Sequence, residues 1–421
     1  MGQLFSNTNN NEDHGDLDFN FTAYFKKIKK ENKIISQETI CSIELYLAKG
    51  DIQGANSVIS DALKTIDSAP INIAVTGESG TGKSSFINAL RGVKHEEEGA
   101  AEVGVIETTM KITSYKHPRI KNLNIWDLPG VGTLKFPPKN YLKRVEFQKY
   151  DFFIIVSAAR FTKLELDLAK TIRLMKKNYY FVRTKVDFDL YNEKKCKPHT
   201  FDREKILQQI RSSYVNTFRD NKMDTPQIFL ISNHSLSDYD FPVLMDTLTD
   251  DLSNQKRHNF VLSLPNITEA AIQRKYDILE QFILLQSSMF GWFSFLNVLG
   301  NDCDMENLVA SLNHYRVLFG VDDVSLEVIA KDSQVPVEQL KKIIQSPYLL
   351  ENKNEETLEE KLSKYLEKLS STTGGLLGTG LYFRKSFYFQ LLFLDTVTED
   401  AKVLLRETFK KLVQAQPVHS H

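Results

Sequence analysis

Several features that define other classes of protein are scarce in this sequence. Its 421 residues include only three cysteines, Cys41, Cys196 and Cys303, too few and too far apart for a disulfide framework or a zinc site. A reducing, cytoplasmic compartment is therefore expected. The formal net charge is only -1, and the helix-turn-helix-like pattern at 325–344 is not net basic, so we expect no nucleic-acid partner. The first residues also lack the charged start and apolar run of a secretory signal.

The order of apolar patterns indicates more than one domain, as the chain length also suggests. A polar tail at 1–20 precedes helical periodicity over 21–68, and helical patterns return over 253–421. Between them, over 69–252, short apolar runs alternate with helical stretches. These runs cover 71–76, 123–126, 152–157, 179–183 and 228–232. Runs that are apolar on both faces are typical of parallel strands covered by helices, which predicts a doubly wound, mostly parallel α/β domain. The flanking segments are expected to form an all-α domain together.

A complete phosphate-binding loop follows the first predicted strand. The loop consists of Gly77, Glu78, Ser79, Gly80, Thr81, Gly82, Lys83 and Ser84, and Ser85 opens the helix behind it. The glycines allow backbone N–H groups to surround phosphates, and the helix start adds positive potential. Lys83 is expected at the β- and γ-phosphates and Ser84 at Mg²⁺. Glu78 is unusual there, and would be tolerated if it faces a partner or polarises a ribose hydroxyl.

Two further segments predict the metal and γ-phosphate side of the site. Asp127 ends a predicted strand, where its carboxylate would hold a water of the Mg²⁺ shell, and Gly130 would bring its N–H to the γ-phosphate. The stretch 91–110 is expected to be the first switch, with Thr109 as first choice and Thr108 as second for the threonine that completes the metal shell.

Two more motifs predict guanine as the base. Thr184, Lys185 and Asp187 follow the fourth predicted strand. An aspartate there accepts hydrogen bonds from both the ring N–H and the exocyclic amine of guanine, a pair that adenine lacks. Lys185 is expected along the base, and Ser232 and Asn233 lie where a backbone N–H would meet the guanine oxygen. Together the motifs predict a Ras-like phosphate-loop domain that binds GTP and GDP with Mg²⁺.

One expected side chain is missing from the second switch. Val131 follows Gly130 where a glutamine would orient the attacking water. Hydrolysis by a lone subunit is therefore expected to be slow, or to be completed by a partner.

Seven strings of the sequence resemble the immunity-related GTPases, the interferon-inducible, dynamin-like family, in the class with Gly-Lys-Ser in the phosphate loop. The strings lie at 77–84, 107–110, 127–130, 150–155, 181–185, 239–242 and 393–395, and the resemblance spans nearly the whole chain. It implies a GTPase that converts GTP and water to GDP and phosphate and dimerises through its nucleotide face. It also implies higher GTP-dependent oligomers, related GTPases of the same family as partners, and action on pathogen-containing vacuole membranes in innate immunity.

The resemblance also implies catalytic roles for Glu78, Glu107 and Arg160, beside Lys83 and Thr109. Val103 departs from the pattern, because some members of the family have a threonine at this position. The alternative function is a GTP-dependent, membrane-bound switch that recruits partners with negligible turnover. Both functions use the same site.

Membrane lipid is expected as a further partner. Gly2 fits the N-myristoylation pattern, and one acyl chain needs a second signal for stable attachment. Lys26, Lys27, Lys29 and Lys30 form a basic segment that suits anionic lipid. The uncharged segment 281–301 is expected to form a buried helical hairpin, with insertion into a membrane as the alternative.

Overall fold

The computed structural model describes most of the chain and divides into two compact units. The described residues are 34–103, 111–129, 141–158, 161–293, 303–351, 357, 360–365, 367 and 385–415. Residues 68–271 form one unit, here called the sheet unit, and the described residues before 68 and after 271 form the other, the helical unit. Residues 253–271 thus group with the sheet, whereas the sequence patterns placed a boundary at 252. Phe260, Val261 and Leu262 in this segment are buried.

The sheet unit is organised around six strands in the order β2-β3-β1-β4-β5-β6. The strands are β1 Ile71–Thr76, β2 Thr113–Lys116, β3 Leu123–Asp127, β4 Phe152–Ser157, β5 Asn178–Arg183 and β6 Ile228–Leu230. Within the described part of the chain, β2 pairs antiparallel with β3, and the other neighbours pair parallel: β1 with β3 and β4, β4 with β5, and β5 with β6. Five strands coincide with the five apolar runs, which confirms the predicted fold class. β2 was not predicted, because its residues are polar and mostly exposed.

The strand order places the phosphate loop at a crevice in the sheet. β1 and β4 are neighbours, and the chain continues from β1 to β2 and β3 on one side of the sheet and from β4 to β5 and β6 on the other. In open α/β sheets, ligands bind at the carboxyl ends of the strands where the order reverses in this way. The loop 77–84 follows β1 directly and therefore begins at this point.

Helices flank the strands and make up the helical unit. In chain order they are α1 Gln37–Ala48, α2 Ile52–Ser68, α3 Lys83–Arg91, α4 Tyr141–Arg144, α5 Lys163–Leu174, α6 Val186–Cys196, α7 Arg203–Asp220, α8 Phe241–Asp251, α9 Asn254–Ser263, α10 Glu269–Phe293, α11 Cys303–Phe319, α12 Asp323–Ser333, α13 Val337–Ile343 and α14 Lys385–Ala415. This helical content beside the sheet also agrees with the predicted fold class.

Local sequence explains where α5 begins and how it packs. Thr162 and Glu165 form a capping box, in which the hydroxyl and the carboxylate each accept a hydrogen bond from the other residue's backbone N–H. Phe161, just before the cap, packs its ring 4.9 Å from that of Phe181 and 5.0 Å from that of Phe218. These contacts anchor the start of α5 against β5 and α7.

The helical unit is fastened by buried polar groups as well as by apolar packing. α11 contacts α14, as do α12 and α13. The Asp400 carboxylate accepts hydrogen bonds from the backbone N–H groups of Gln345 at 2.8 Å and Ser346 at 2.7 Å. The ammonium of Lys275, fully buried, donates to the Leu318 carbonyl at 2.8 Å.

The uncharged segment 281–301 is only partly within the described residues. Its first part continues α10, where Ile283 and Leu285 are buried. Residues 294–302 lie outside the described residues, so the choice between a buried hairpin and membrane insertion stays a prediction. In the part of the chain that the structure describes, no helix has the length and apolar character needed to cross a membrane.

Candidate functional site

The phosphate loop has a backbone that only glycine accommodates at its first position. Gly77 has a φ of 147°. A Cβ atom added there would lie 2.0 Å from the Val156 carbonyl oxygen of the neighbouring strand β4. Gly80 and Gly82 also have positive φ values, 73° and 84°. The loop therefore turns sharply against the end of the sheet, with Ser79 and Gly80 exposed at its tip.

Lys83 folds back into the loop that precedes it. Its side chain is buried, and Nζ donates hydrogen bonds to the carbonyl oxygens of Gly77 at 3.2 Å and Glu78 at 2.9 Å. The Thr81 hydroxyl donates to the same Glu78 carbonyl at 2.9 Å. The ammonium is thus held inside the concave turn, where it adds positive charge for phosphate oxygens.

The start of α3 carries no side-chain cap. Gly82 is its N-cap residue and has no side chain to accept a hydrogen bond. Ser84 and Ser85 lie half-buried in the first turn. A helix N-terminus of this kind combines backbone donors with a positive dipole end, which suits an anion.

Asp127 contributes a carboxylate to the site from β3, the strand that pairs with β1. It is buried at the end of β3 and lies opposite Val75 in the register with β1. The next residue, Leu128, donates its N–H to the Val75 carbonyl at 2.9 Å. The pairing of β1 with β3 therefore brings the Asp127 carboxylate to the same end of the sheet as the phosphate loop.

The guanine motifs are tied to the phosphate loop through three consecutive carbonyl groups. The Lys185 ammonium donates to the Gly80 carbonyl at 2.9 Å, and the Thr184 hydroxyl donates to that of Thr81 at 2.6 Å. The Asn233 amide donates to the Gly82 carbonyl at 3.1 Å. Side chains at the ends of β5 and β6 thus fix the loop that follows β1.

The base side of the site is shaped by polar groups around Asp187. Asp187 lies half-buried in the first turn of α6, and no donor among the described residues reaches its carboxylate. Ser232 is buried, and its hydroxyl accepts hydrogen bonds from the backbone N–H groups of His234 and Ser235 at 3.1 and 3.2 Å. This turn sets the backbone direction where the guanine oxygen was predicted to bind.

The sequence motifs did not predict the ion pair between Arg183 and Asp189, which lies beside the guanine motif at 184–187. The buried Arg183 guanidinium lies 2.5 Å from the Asp189 carboxylate and also donates to the Thr184 carbonyl. Burial raises the pKa of Asp189, and Arg183 opposes this effect. The pair spans Thr184, Lys185 and Asp187 and so restrains their backbone. A buried arginine six residues before an aspartate is not a motif that the sequence alone would reveal.

A second acidic group lies near the phosphate loop. Glu165, the capping residue of α5, is buried, and burial raises its pKa to about 7, with the nearby charge of Glu78 adding to the rise. Hydrogen bonds to Thr162 and Ser157 oppose the shift. Glu78 itself is half-buried. The two carboxylates thus sit on adjacent segments at one side of the site.

The first switch is anchored where it leaves α3. The buried Asn88 amide pairs with the backbone of Ala101, donating to its carbonyl at 3.0 Å and accepting from its N–H at 2.7 Å. Arg91 donates to the carbonyls of Gly99 at 2.9 Å and Lys116 at 3.0 Å. Val103 is exposed.

Several predicted site residues lie outside the described residues and stay predictions. They are Glu107, Thr108, Thr109, Gly130 and Arg160, together with Gly2 and the basic residues Lys26, Lys27, Lys29 and Lys30. The structure brings together the rest: the phosphate loop, Asp127, Thr184, Lys185, Asp187, Ser232 and Asn233 meet at the carboxyl end of the sheet.

A phosphate loop at the switch point of a mostly parallel sheet, with an internal lysine and a guanine-type aspartate beside it, defines a phosphate-loop GTPase. A family model described as interferon-inducible GTPase (IIGP) matches residues 36–408. The chain therefore belongs to the interferon-inducible GTPase family, as its sequence motifs indicated, and it hydrolyses GTP.

Two relatives from Mus musculus align with the chain over most of its length. Interferon-inducible GTPase 1 of Mus musculus is 51% identical over 409 residues, which cover 97% of this chain and 99% of that protein. T-cell-specific guanine nucleotide triphosphate-binding protein 2 of Mus musculus is 48% identical over 396 residues, covering 93% and 95%. Among solved structures, Era of Aquifex aeolicus bound to GDP and AlF4- aligns with a TM-score of 0.30 and 18% identity, over 43% of this chain and 56% of that one.

Proposed function

We propose that this GTPase hydrolyses GTP efficiently only when two subunits meet through their nucleotide faces, and that it acts in this form on membranes of vacuoles that contain pathogens. The observation that carries the proposal is Val131, which leaves the second switch without a side chain to orient water. The resemblance to dynamin-like immunity GTPases supports the vacuole membrane as the place of action.

The surface beside the guanine motif supports a partner at this face. Phe188 directly follows Asp187, and its side chain is 61% exposed. Tyr191, one helical turn further along α6, is 63% exposed. Large exposed aromatic side chains are enriched at protein interfaces and cost hydrophobic free energy in water. A second copy docked on the nucleotide face would cover them.

Charged groups would complete each site across such an interface. Glu78 is half-buried on the phosphate loop, and Glu107 and Arg160 are proposed to join it at the rim. In a symmetric dimer each site gains groups from its partner, including the partner's ribose if the two nucleotides meet. Ordering of the first switch by the γ-phosphate would couple docking to GTP, and hydrolysis would release it. Higher oligomers and mixed assemblies with related GTPases would extend the same contacts.

Mg²⁺ is proposed as the metal of this site. Ser84 supplies a hydroxyl in the first turn of α3, and Asp127 supplies a buried carboxylate at the end of β3. Oxygen donors of this kind, with water and phosphate oxygens completing the shell, fit a small hard cation, and Thr109 is proposed to add another. When bound, the ion neutralises charge on the β- and γ-phosphates. Lys83 and the backbone N–H groups of the loop hold the same phosphates and stabilise their charge.

A concentration series tests the assembly. We expect turnover per molecule to rise with protein concentration, and GTP, but not GDP, to increase the mass measured by light scattering. Replacing Phe188 and Tyr191 together by glutamate should abolish the rise and leave GTP binding by the monomer intact. The matched control is Val324→Glu, since Val324 is exposed on α12 of the helical unit. The proposal fails if turnover per molecule stays flat over about two orders of magnitude of dilution while the protein is monomeric with GTP.

The same series decides between this function and a recruiting switch. A switch with negligible turnover would bind GTP at the same site and release phosphate at a low rate at every concentration. Charge reversal at Arg160 provides a second test. Arg160→Glu should make turnover per molecule independent of protein concentration without changing the affinity for GTP.

Membrane attachment is proposed to require Gly2 and the basic segment. One myristoyl chain binds membranes only marginally, so lysine side chains near anionic lipid supply the second signal. Gly2→Ala should shift the protein from the membrane fraction to the cytosolic fraction, and glutamate at Lys26, Lys27, Lys29 and Lys30 should shift it further. Unchanged membrane recovery in both variants would show that another element anchors the protein.

A further inference from the structure

Two aspartates lie close together on the base side of the site, and the structure gives them different surroundings. Asp187 and Asp189 both belong to the first turn of α6. The Asp189 carboxylate lies 2.5 Å from the guanidinium of Arg183, whose side chain is only 7% exposed. Asp187 receives no hydrogen bond from the described residues. One aspartate is therefore held by the protein, and the other is open to a ligand.

The geometry of the helix gives this difference a direction. Successive residues of an α-helix are rotated by about 100°, so side chains two positions apart point to nearly opposite sides. Asp189 faces inward, because it meets the buried Arg183 at the end of β5. Asp187 is therefore turned toward the opposite side of α6. Its carboxylate oxygens stay available to the ring N–H and the exocyclic amine of guanine.

The backbone between Arg183 and the two aspartates has an uncommon conformation. Lys185, the N-cap residue of α6, has a φ of 59° and a ψ of 28°, in the left-handed region. A residue other than glycine persists there only where surrounding contacts hold it. The Arg183 guanidinium donates to the Thr184 carbonyl before this residue and to the Asp189 carboxylate beyond it. It thus bridges the turn and fixes the direction in which α6 begins.

Charge also separates the two aspartates. Burial raises the pKa of Asp189, the nearby charge of Asp187 adds to the rise, and Arg183 opposes both effects. The guanidinium therefore offsets the repulsion between two carboxylates that lie two residues apart. Without it, the inward position of Asp189 would be disfavoured by both burial and like charge.

We propose that Arg183 and Asp189 are positioning residues that set the selectivity of the site for guanine by orienting Asp187. They act through the backbone of 184–187, which they restrain at both ends. The planar guanidinium suits this role, because it donates to two acceptors in a fixed geometry, whereas a lysine ammonium does not. Two hydrogen bonds to one base edge are sensitive to direction, so a small rotation of the first turn of α6 would weaken at least one of them.

This inference requires recognition of the base but neither assembly nor membranes, so it can fail separately from the function proposed above. Inosine diphosphate is the probe, because its base lacks the exocyclic amine of guanine but keeps the ring N–H and the oxygen. If the ion pair orients Asp187, its loss lowers the affinity for GDP more than the affinity for inosine diphosphate. A pair that only stabilises the fold would lower both affinities by the same factor.

The test compares Arg183→Lys with Arg211→Lys. Arg211 forms a matched ion pair in the same unit, since its guanidinium lies 2.7 Å from the Asp240 carboxylate and also donates to the Ile228 carbonyl. Calorimetric titration measures the affinities for GDP and inosine diphosphate. We expect Arg183→Lys to lower the ratio of the two affinities by about threefold to tenfold, the value of one hydrogen bond. Arg211→Lys should leave this ratio unchanged.

A double variant keeps the test decisive if Arg183→Lys folds poorly. Arg183→Met combined with Asp189→Leu removes both charges and leaves no buried charge unpaired. We expect the same fall in the affinity ratio. A ratio that stays unchanged in either variant, or that falls as far in Arg211→Lys, would overturn the proposal. Equal affinity of the unaltered protein for GDP and inosine diphosphate would overturn it as well.

Discussion

The sheet unit and the helical unit both contain a lysine that donates to two backbone carbonyls, but the surroundings differ. Lys83 reaches the carbonyls of Gly77 and Glu78 inside the phosphate loop. Lys361 reaches those of Leu349 and Glu351 at 3.1 and 3.0 Å. The two hydrogen bonds of Lys83 close a turn with positive φ values at a helix N-terminus. The two hydrogen bonds of Lys361 connect one segment of the helical unit to another.

The carboxylates of the two units show the same contrast. Asp400 has both oxygens occupied by backbone N–H groups of the protein. Asp187 receives no hydrogen bond from the described residues. A polar group whose partners are all within the protein contributes to stability, whereas one that awaits donors is suited to a ligand. The comparison predicts which changes will alter GTP chemistry and which will alter folding.

The largest effect is expected from Lys83→Ala. Removing the ammonium takes away a contact to phosphate oxygens whose charge shifts in the transition state, so turnover should fall by about 10²- to 10³-fold or more. Phosphate release under saturating GTP measures it. Lys361→Ala is the matched control, because it deletes a lysine with the same kind of contacts and should leave turnover unchanged. Full turnover in Lys83→Ala would contradict the role assigned to the loop.

The next effect is expected from Asp187→Asn, which changes base recognition rather than stability. An amide cannot accept from both guanine donors as a carboxylate does, so affinity for GTP should fall by about tenfold to a hundredfold, while xanthosine nucleotides are disfavoured less. Calorimetric titration of both nucleotides measures this shift. Equal affinity of the unaltered protein for ATP and GTP would refute guanine recognition.

Asp400→Ala should produce the opposite pattern. It leaves the N–H groups of Gln345 and Ser346 buried without acceptors, which should cost the helical unit about 2–4 kcal/mol of unfolding free energy. Urea unfolding, followed by helical circular dichroism, measures the loss, and GDP affinity of the folded protein should stay unchanged. A fall in GDP affinity as large as that in Asp187→Asn would break the distinction between the two carboxylates.

The smallest effect on stability is expected from neutralising Glu165, which caps α5 beside the phosphate loop. Its pKa in the folded protein is raised to about 7, above its ordinary value, so the folded state prefers the protonated form. This preference stabilises the folded protein fully below about pH 4.5. The stabilisation, on the order of 1–3 kcal/mol of unfolding free energy, is lost as pH rises through about 7.

Glu165→Gln should flatten this pH dependence, as measured by urea unfolding at pH 5 and pH 8. Glu204→Gln changes another first-turn glutamate, one that is exposed on α7, and should leave the dependence as it is. An unaltered slope in Glu165→Gln would show that other groups govern the stability of this region between these pH values.

Much of the fold was predictable because its determinants are local. The five parallel strands carry continuous apolar runs, as strands buried on both faces must, and the loop that follows β1 has a recognisable residue pattern. β2 escaped prediction because an exposed edge strand of polar residues has no such run. The end of the sheet unit at 271 was also not apparent, because α9 continues the helical pattern and only its packing assigns it to the sheet.

The sequence by itself determined the chemistry of the site: the residue types of the phosphate loop, the aspartate for guanine and the valine in place of a catalytic glutamine. Tertiary structure decided how these motifs hold one another. Thr184, Lys185 and Asn233 bind carbonyls of the phosphate loop from more than a hundred positions away in the chain. The Tyr141 hydroxyl joins Thr76 at the end of β1 to the carbonyl of Pro129 just beyond β3, although Tyr141 belongs to neither strand. Such contacts depend on which strand ends lie side by side, and the order of strands in a sheet is set by packing of the whole unit rather than by local sequence.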